Sequence, residues 1–265
     1  MKLYAIFGNP VEHSISPLLH NYAFEKLGFK GCYTKRLIEQ KSGLRETFFG
    51  LALKGVNITV PYKEQAFMES DEVLGIAKEI GAVNTWYEKR GKILAYNTDA
   101  PGFYESIEEF DFKHPIILGA GGTAKAIAVY LKHKGFEPVV LNRSASRLPY
   151  FLEKGIEAYT WEEFKKNRPF DIVINTTSAG LKDDSLPAPK ELLEELFKEA
   201  RYAVDVIYNR LTPFLKLAKE MGLTYKDGTE MLINQGVLAF EIFTDYQYKK
   251  EEIRELFKEA AALLH

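Results

Sequence analysis

Several segments set polar side chains at the ends of apolar runs, where they could meet a small ligand. In Val56-Asn-Ile-Thr-Val-Pro-Tyr-Lys63, an apolar strand pattern carries Asn57 and Thr59, Pro61 stops the hydrogen-bond ladder, and Lys63 follows at the tip. Polar groups at the C-terminal ends of strands lie where ligands bind in open α/β sheets. Taken alone, Lys63 could equally be a solvated surface lysine. Gly81-Ala-Val-Asn84-Thr and Tyr96-Asn-Thr-Asp99-Ala-Pro-Gly put Asn84 and Asp99 at two further strand ends, although Asp99 could simply cap the next helix. His13-Ser-Ile-Ser-Pro17 offers Ser16 as an N-cap with Pro17 as the first helical residue. Capping does not explain Ser14, and two hydroxyls at i and i+2 could also bind a carboxylate.

A second chemistry is written at Ile116-Ile-Leu-Gly-Ala-Gly-Gly-Thr-Ala124, which runs from an apolar strand through glycines into a helix. Gly119, Gly121 and Ala124 occupy the positions of G-x-G-x-x-G/A. There the first glycine turns the chain, the second admits a pyrophosphate and the third small residue packs helix on strand. The helix N-terminus adds unpaired N–H groups and a positive dipole. With a strand before and a helix after, the pattern implies dinucleotide binding. The following strand ends Leu141-Asn-Arg-Ser-Ala-Ser-Arg147, without the acid that would bind a ribose 2′-hydroxyl. Arg143 and Arg147 could instead hold a 2′-phosphate, which favours NADP over NAD; the alternative is a solvated basic turn.

The elements that must position these groups alternate along the chain. Strand patterns at residues 3–7, 56–60, 82–87 and 93–96 precede a second set at 116–118, 138–141, 171–174 and 203–207. Amphipathic helical stretches lie between them. Apolar runs spaced by helices predict doubly wound parallel sheets. Boundaries near Ala100 and near Asp227-Gly228 divide the chain into residues 1–99, 100–228 and 229–265. Helical patterns at 230–243 and 250–263 could cap the nucleotide unit or fold back onto the first domain. With 35 basic and 37 acidic residues and no run of either sign, the chain lacks the basic stripe that nucleic acid or an anionic membrane would require. No apolar run is long enough to span a bilayer, and the N-terminal residues do not read as a signal peptide. Cys32 is the one cysteine, which rules out an internal disulfide and any multi-cysteine metal site. A cytoplasmic enzyme acting on a small molecule, without a metal, is the expectation. The oligomeric state, monomer or homodimer, is not legible.

Taken together, these segments resemble the shikimate dehydrogenase family over essentially the whole chain. Ser14-Ile-Ser16-Pro, Asn57-Ile-Thr59-Val-Pro-Tyr-Lys63, Gly81-Ala-Val-Asn84-Thr and Asn97-Thr-Asp99-Ala-Pro-Gly look like its substrate-domain signatures. Gly119-Ala-Gly-Gly-Thr-Ala124, Asn142-Arg-Ser-Ala-Ser-Arg147 and Asn175-Thr-Thr-Ser-Ala-Gly180 look like its cofactor-domain signatures. The resemblance implies an N-terminal α/β substrate domain of residues 1–99 plus 229–265, a Rossmann-like doubly wound NADP-binding domain of residues 100–228, and C-terminal helices returning to the first domain. It implies NADP-dependent, reversible reduction of 3-dehydroshikimate to shikimate, a step toward the aromatic amino acids. Lys63 and Asp99 match the catalytic pair. Ser14 and Ser16 match groups on the substrate carboxylate, with Tyr208 close by, and Thr59, Asn84, Asp99 and Gln235 match groups on the ring hydroxyls. Gly119, Ala120, Gly121, Gly122, Thr123, Ala124, Asn142, Arg143, Ser144, Arg147, Val206 and Gly228 match the cofactor side. Three positions depart from the family pattern: Arg210 follows Asn209 where proline is frequent, Val206 stands where a longer apolar residue is common, and Phe243-Thr-Asp-Tyr246 replaces a glycine-rich ending. The rivals are a quinate or shikimate dehydrogenase with relaxed cofactor use, and a non-catalytic NADP-sensing protein. The presence of both Lys63 and Asp99 weighs against the second.

Overall fold

A computed structural model describes residues 1–39 and 43–264. The chain divides into two units, Met1–Gly102 with Ile233–His265, and Phe103–Leu232, each built around a six-stranded sheet.

The first unit comprises strands β1 (Lys2–Gly8), β2 (Gly31–Leu37), β3 (Gly55–Ile58), β4 (Glu72–Val73), β5 (Thr85–Lys89) and β6 (Lys92–Tyr96). Its helices are α1 (Ser16–Lys26), α2 (Leu44–Gly50), α3 (Lys63–Met68) and α4 (Ala77–Ile80), with the start of α5 (Asp99–Ile107). The sheet order is β2-β1-β3-β5-β6-β4. The expectation of a parallel sheet is corrected here, because β5 runs antiparallel to both β3 and β6. The reversal is made by Arg90-Gly91, both at positive φ (54° and 77°), the two-residue hairpin geometry that matches strand twist.

Successive side chains of β1 point to opposite faces. Tyr4 and Ile6 join a cluster with Leu19 and Phe24 of α1, while Ala5 and Phe7 join Phe48, Val56, Ile58 and Trp86 on the other face. The first cluster also takes Val237, Phe240, Phe243, Ile253 and Phe257. The C-terminal helical patterns therefore fold onto β1 and α1, which settles the choice that periodicity left open. In Phe243-Thr-Asp-Tyr246, Asp245 and Tyr246 adopt φ of 51° and 58°, a region costly for residues with a Cβ. Asp245 is held there by the Tyr87 hydroxyl at 2.5 Å.

The second unit contains β7 (Pro115–Leu118), α6 (Gly122–His133), β8 (Val139–Asn142), α7 (Pro149–Glu153), β9 (Glu157–Thr160), β10 (Ile172–Asn175), α8 (Lys190–Phe197), β11 (Tyr202–Asp205), α9 (Pro213–Glu220) and β12 (Thr224–Lys226). Helix α10 (Thr229–Phe243) then leads to α11 (Lys250–Ala262). All strands are parallel, in the order β12-β11-β10-β7-β8-β9. Chain direction across the sheet reverses between β7 and β10, the topological switch point where doubly wound sheets bind ligands. Both strands are buried throughout, as their unbroken apolar runs require.

Candidate active site

Strand register brings the first unit's polar residues to one edge of its sheet. β1 and β3 are parallel, so Ser14 and Ser16 (after β1) and Thr59 and Lys63 (after β3) follow the same ends. β5 is antiparallel to β3, pairing Asn57 with Thr85, and β6 is antiparallel to β5, pairing Thr85 with Tyr96. The residues before β5 and after β6 thus arrive at that same edge. Asn84 precedes β5 instead of lying within a strand at 82–87, a correction to the sequence reading. The antiparallel direction makes this the N-terminal end of β5.

Lys63 is the first residue of α3, and its Nζ lies 2.5 Å from Asp99 Oδ2, the first residue of α5. Both side chains are mostly buried, at 16% and 12% exposure, so water screens the pair weakly. The Lys63 carbonyl accepts the Val83 N–H at 3.0 Å, which ties α3 to the loop carrying Asn84. Asn84 Nδ2 donates to Asp99 Oδ1 and to Thr98 Oγ1, both at 2.9 Å. Its Oδ1 accepts the Thr98 N–H at 2.7 Å and the Thr85 hydroxyl at 3.1 Å. Both N–H groups of Asn84 are therefore engaged inside the protein, and one of them aims the Asp99 carboxylate. Asn97 Oδ1 accepts the Ala100 N–H at 3.1 Å, so Asn97 takes the capping role that had been open to Asp99.

The network extends past the residues singled out from sequence. Asn57 Nδ2 donates to Thr85 Oγ1 (3.0 Å), and Asn57 Oδ1 accepts the Tyr33 hydroxyl (2.8 Å). Burial pushes the Tyr33 phenol well above its ordinary range, and the Ser16 side chain acts on it in the opposite sense. Ser16 opens α1 instead of capping it. The cap position is Ile15, and it is Ser14 Oγ that accepts the Ser16 N–H (3.3 Å) while donating to Ser16 Oγ (3.1 Å). The capping reading of Ser16 is thus overturned, because the helix begins one residue early and Ser14 satisfies its first free N–H. Thr59 is half-buried, with its N–H on the Phe7 carbonyl at 2.9 Å. Gln235, also half-buried, is placed by a close crossing of α5 and α10. A Cβ on Gly102, one turn beyond Asp99, would stand 2.6 Å from the Gln235 nitrogen. Tyr33 escaped the sequence reading, because the polar composition of its strand hid it, whereas Thr98 lies within the Asn97-Thr-Asp99 signature.

In the second unit, a cavity of about 780 Å³ opens at the switch point. Gly119, Ala120, Gly121, Asn142, Arg143 and Arg147 line it. Gly119 turns at φ 106°, and a Cβ there would stand 2.8 Å from Thr176 Oγ1, so only glycine fits. A Cβ on Gly121 or Gly122 would meet nothing within 4 Å, leaving room in front of the N-terminus of α6 for a pyrophosphate. Thr123 and Ala124 carry the chain into that helix, Ala124 fully buried. Asn142 Nδ2 holds the Ser144 carbonyl at 2.8 Å, bracing the turn from which exposed Arg143 and Arg147 project. Val206 and Gly228 lie outside the lining residues and touch each other. A Cβ on Gly228 would be 2.2 Å from the Val206 carbonyl oxygen. Tyr208 is half-buried, and burial raises its phenol. Thr176 and Thr177, from the Asn175–Gly180 signature after β10, also line the cavity, together with Trp161, Asp183 and residues 185–189, which the sequence reading did not single out.

Asp205 organises the strand ends around this cavity. Completely buried, it accepts the Ile207 N–H (3.0 Å), Asn175 Nδ2 (3.0 Å) and Thr212 Oγ1 (2.7 Å). Asn175 in turn holds the Thr177 N–H and hydroxyl. Desolvation outweighs these bonds and raises the Asp205 carboxyl. Arg210 donates to the Leu181 carbonyl at 2.8 Å and so pins the start of the 181–185 loop. Among the described residues, no group of three or more His, Cys, Asp or Glu side chains could hold a metal ion, and no helix is long and apolar enough to cross a membrane.

Known proteins share this sequence pattern and this architecture. A family model for the shikimate dehydrogenase substrate binding domain matches residues 6–86, and one for the shikimate 5'-dehydrogenase C-terminal domain matches residues 228–247. The shikimate dehydrogenase (NADP(+)) of Helicobacter hepaticus is 49% identical over 251 residues, covering 94% of each chain. That of a Helicobacter pylori strain is 45% identical over 265 residues, covering 97% of this chain and 99% of the relative. Among solved structures, shikimate 5-dehydrogenase from Thermus thermophilus, in complex with NADP(H) and shikimate, superposes with a TM-score of 0.86 at 36% identity. The match covers 98% of this chain and all of that one.

Proposed function

Because the chain belongs to the shikimate dehydrogenase family, we infer that it catalyses the NADP-dependent, reversible reduction of 3-dehydroshikimate to shikimate. We propose that the first unit binds the ring acid and the second the cofactor. NADPH, when bound, supplies the hydride for the ketone carbon. The protein's own contribution is orientation and charge.

As negative charge develops on the ketone oxygen, the Lys63 ammonium stabilises it and delivers the proton. Asp99 keeps that ammonium in place and accepts from a ring hydroxyl, while Asn84 fixes the plane of the Asp99 carboxylate. Ser14 and Ser16 hold the substrate carboxylate, with Tyr208 beside it, and Thr59 and Gln235 complete the ring contacts. On the cofactor side, the glycine loop and the start of α6 receive the pyrophosphate. Asn142 and Ser144 shape the turn, Arg143 and Arg147 pair with the 2′-phosphate, and Val206 and Gly228 border the nicotinamide. We place this reaction in the cytoplasm, with shikimate or 3-dehydroshikimate as the small-molecule partner.

The observation that carries this reading is the 2.5 Å Lys63–Asp99 pair, buried and aimed by Asn84 at the edge where the strand ends meet. The test follows NADPH formation from shikimate and NADP, with NAD and quinate in parallel, on the wild type and Lys63→Ala. Turnover confined largely to shikimate and NADP, falling about 10²- to 10⁴-fold in the variant, is expected. Strong quinate or NAD turnover would replace the substrate or cofactor assignment, and NADP binding without turnover would sink the enzyme.

A further inference from the structure

Besides the glycine loop and the two arginines, the lining of the nucleotide cavity includes an apolar set, Trp161 and the contiguous run Leu186-Pro187-Ala188-Pro189. Trp161 is the one aromatic side chain among the described residues that line it. Its position follows from sheet register. β9 pairs with β8 so that Thr160 faces Asn142, which places Trp161, the next residue, level with Arg143. The indole therefore lies beside the turn proposed to hold the 2′-phosphate, and away from the sheet edge at β11 and β12.

Trp161 is also held rigidly. Thr160 and Glu163 form a reciprocal box around it: Thr160 Oγ1 accepts the Glu163 N–H (3.3 Å), and Glu163 Oε2 accepts the Thr160 N–H (3.3 Å) and hydroxyl (2.8 Å). The Thr160 carbonyl accepts the Phe164 N–H at 3.0 Å. Trp161 packs partly on the sheet core, as does Leu186, and remains half-buried, so its backbone is fixed while part of its surface faces the cavity. A large amphipathic ring so placed is an efficient platform for a planar heterocycle, since little side-chain freedom is left to lose on binding.

We propose that Trp161, backed by Leu186 and Pro187, forms the seat of the adenine ring, and that it contributes affinity for the adenosine half of the cofactor independently of the 2′-phosphate. The inference rests on the reading of this cavity as the NADP site. Every base presents a π face, and stacking on an aromatic side chain strengthens binding by roughly ten- to a hundredfold. Arg143 and Arg147 select the phosphate; the indole holds the base that carries it.

The chain has two tryptophans, and the other, Trp86, is fully buried in the first unit's core. Tryptophan emission can therefore report Trp161 directly. NADP and adenosine 2′,5′-bisphosphate are titrated into the wild type, Trp161→Phe and Trp161→Ala, following emission and, separately, calorimetric heat. Both ligands should quench the wild-type emission, and the quench should vanish in Trp161→Phe, which keeps a ring and should bind within about threefold of wild type. Trp161→Ala should weaken both ligands by the same factor, about tenfold or more. Calorimetric binding of NADP without any quench, or equal affinity in wild type and Trp161→Ala, would overturn the adenine seat while leaving the cofactor reading intact. A loss seen for NADP but not for adenosine 2′,5′-bisphosphate would move Trp161 to the nicotinamide half and likewise overturn it. Absence of calorimetric binding by either ligand to the wild type would fell the cofactor reading itself.

Discussion

Replacing His20 by phenylalanine should flatten the acid side of the stability profile. His20 lies on α1 with 1% of its surface exposed, inside a cage of five rings. Tyr33 stacks on it at 4.3 Å and 7°, with Phe24, Phe240, Phe243 and Phe257 between 5.1 and 6.2 Å. Among the described residues its Nδ1 finds no hydrogen-bond partner. Burial without a counter-charge pulls its pKa from 6.5 down to about 3. Below pH 6.5 the unfolded chain takes up a proton on His20 that the folded chain refuses until about pH 3. Stability is therefore full above about pH 6.5 and falls as pH drops toward 3. Linkage gives a loss of about 2 kcal/mol between pH 7 and pH 5, and about 4 kcal/mol by pH 3. The first step corresponds to about 4–8 °C in Tm. The assay is urea unfolding at pH 7 and pH 5, followed by Trp86 emission in a Trp161→Phe background, so that the signal comes from the unit that contains His20. The parent should lose about 2 kcal/mol more than the His20→Phe variant over that interval, because carboxylate titrations are common to both and cancel. Equal losses would mean that His20 does not enter the fold as a neutral buried ring.

Other substitutions test the site from different sides. Asn84→Ala removes the group that aims the Asp99 carboxylate and should lower kcat for shikimate oxidation by roughly tenfold to a hundredfold, read by steady-state kinetics; unchanged kcat would mean the Asn84–Asp99 bond is structural only. Arg143→Ala combined with Arg147→Ala should raise the KM for NADP at least thirtyfold, about 2 kcal/mol, while the KM for NAD changes little. A parallel rise for both cofactors would disprove their assignment to the 2′-phosphate. Gly119→Ala places a methyl 2.8 Å from Thr176 Oγ1 at a φ of 106°, and calorimetry should find NADP binding weakened at least tenfold.

How much was legible in the sequence depends on where each element lies in its sheet. Strands β1, β3, β7, β10 and β11 are interior, and their unbroken apolar runs announce them. The four strands absent from the sequence reading, β2, β4, β9 and β12, are the four sheet edges. An edge strand exposes more of its surface and carries charge, as Lys35-Arg36, Glu72, Glu157 and Lys226 do here, which erases the periodic signal. That blind spot explains why Tyr33 was missed, since it sits on β2. It also explains Trp161, which directly follows β9. The direction of β5 was misread for another reason. Its hairpin depends on positive φ at Arg90, which the residue type does not advertise. Lys63, Asp99 and the glycine loop were legible because each sits at the end of an interior strand, where a polar residue after an apolar run stands out. The internal satisfaction of Asn84 was not legible, because it depends on partners brought together by strand register.

The antiparallel hairpin of β5 and β6 has a consequence for how the catalytic edge is assembled. Asn84 and Asp99 are joined across 15 residues, whereas Lys63 reaches Asp99 across 36. Loop-closure entropy rises with separation, so the carboxylate and its guiding amide form a locally encoded cassette that can take shape before the rest of the edge arrives. Lys63 then joins a carboxylate already oriented. Insertions between residues 68 and 82 would lengthen only the second of these closures. The 84–99 segment is the part that must be inherited whole.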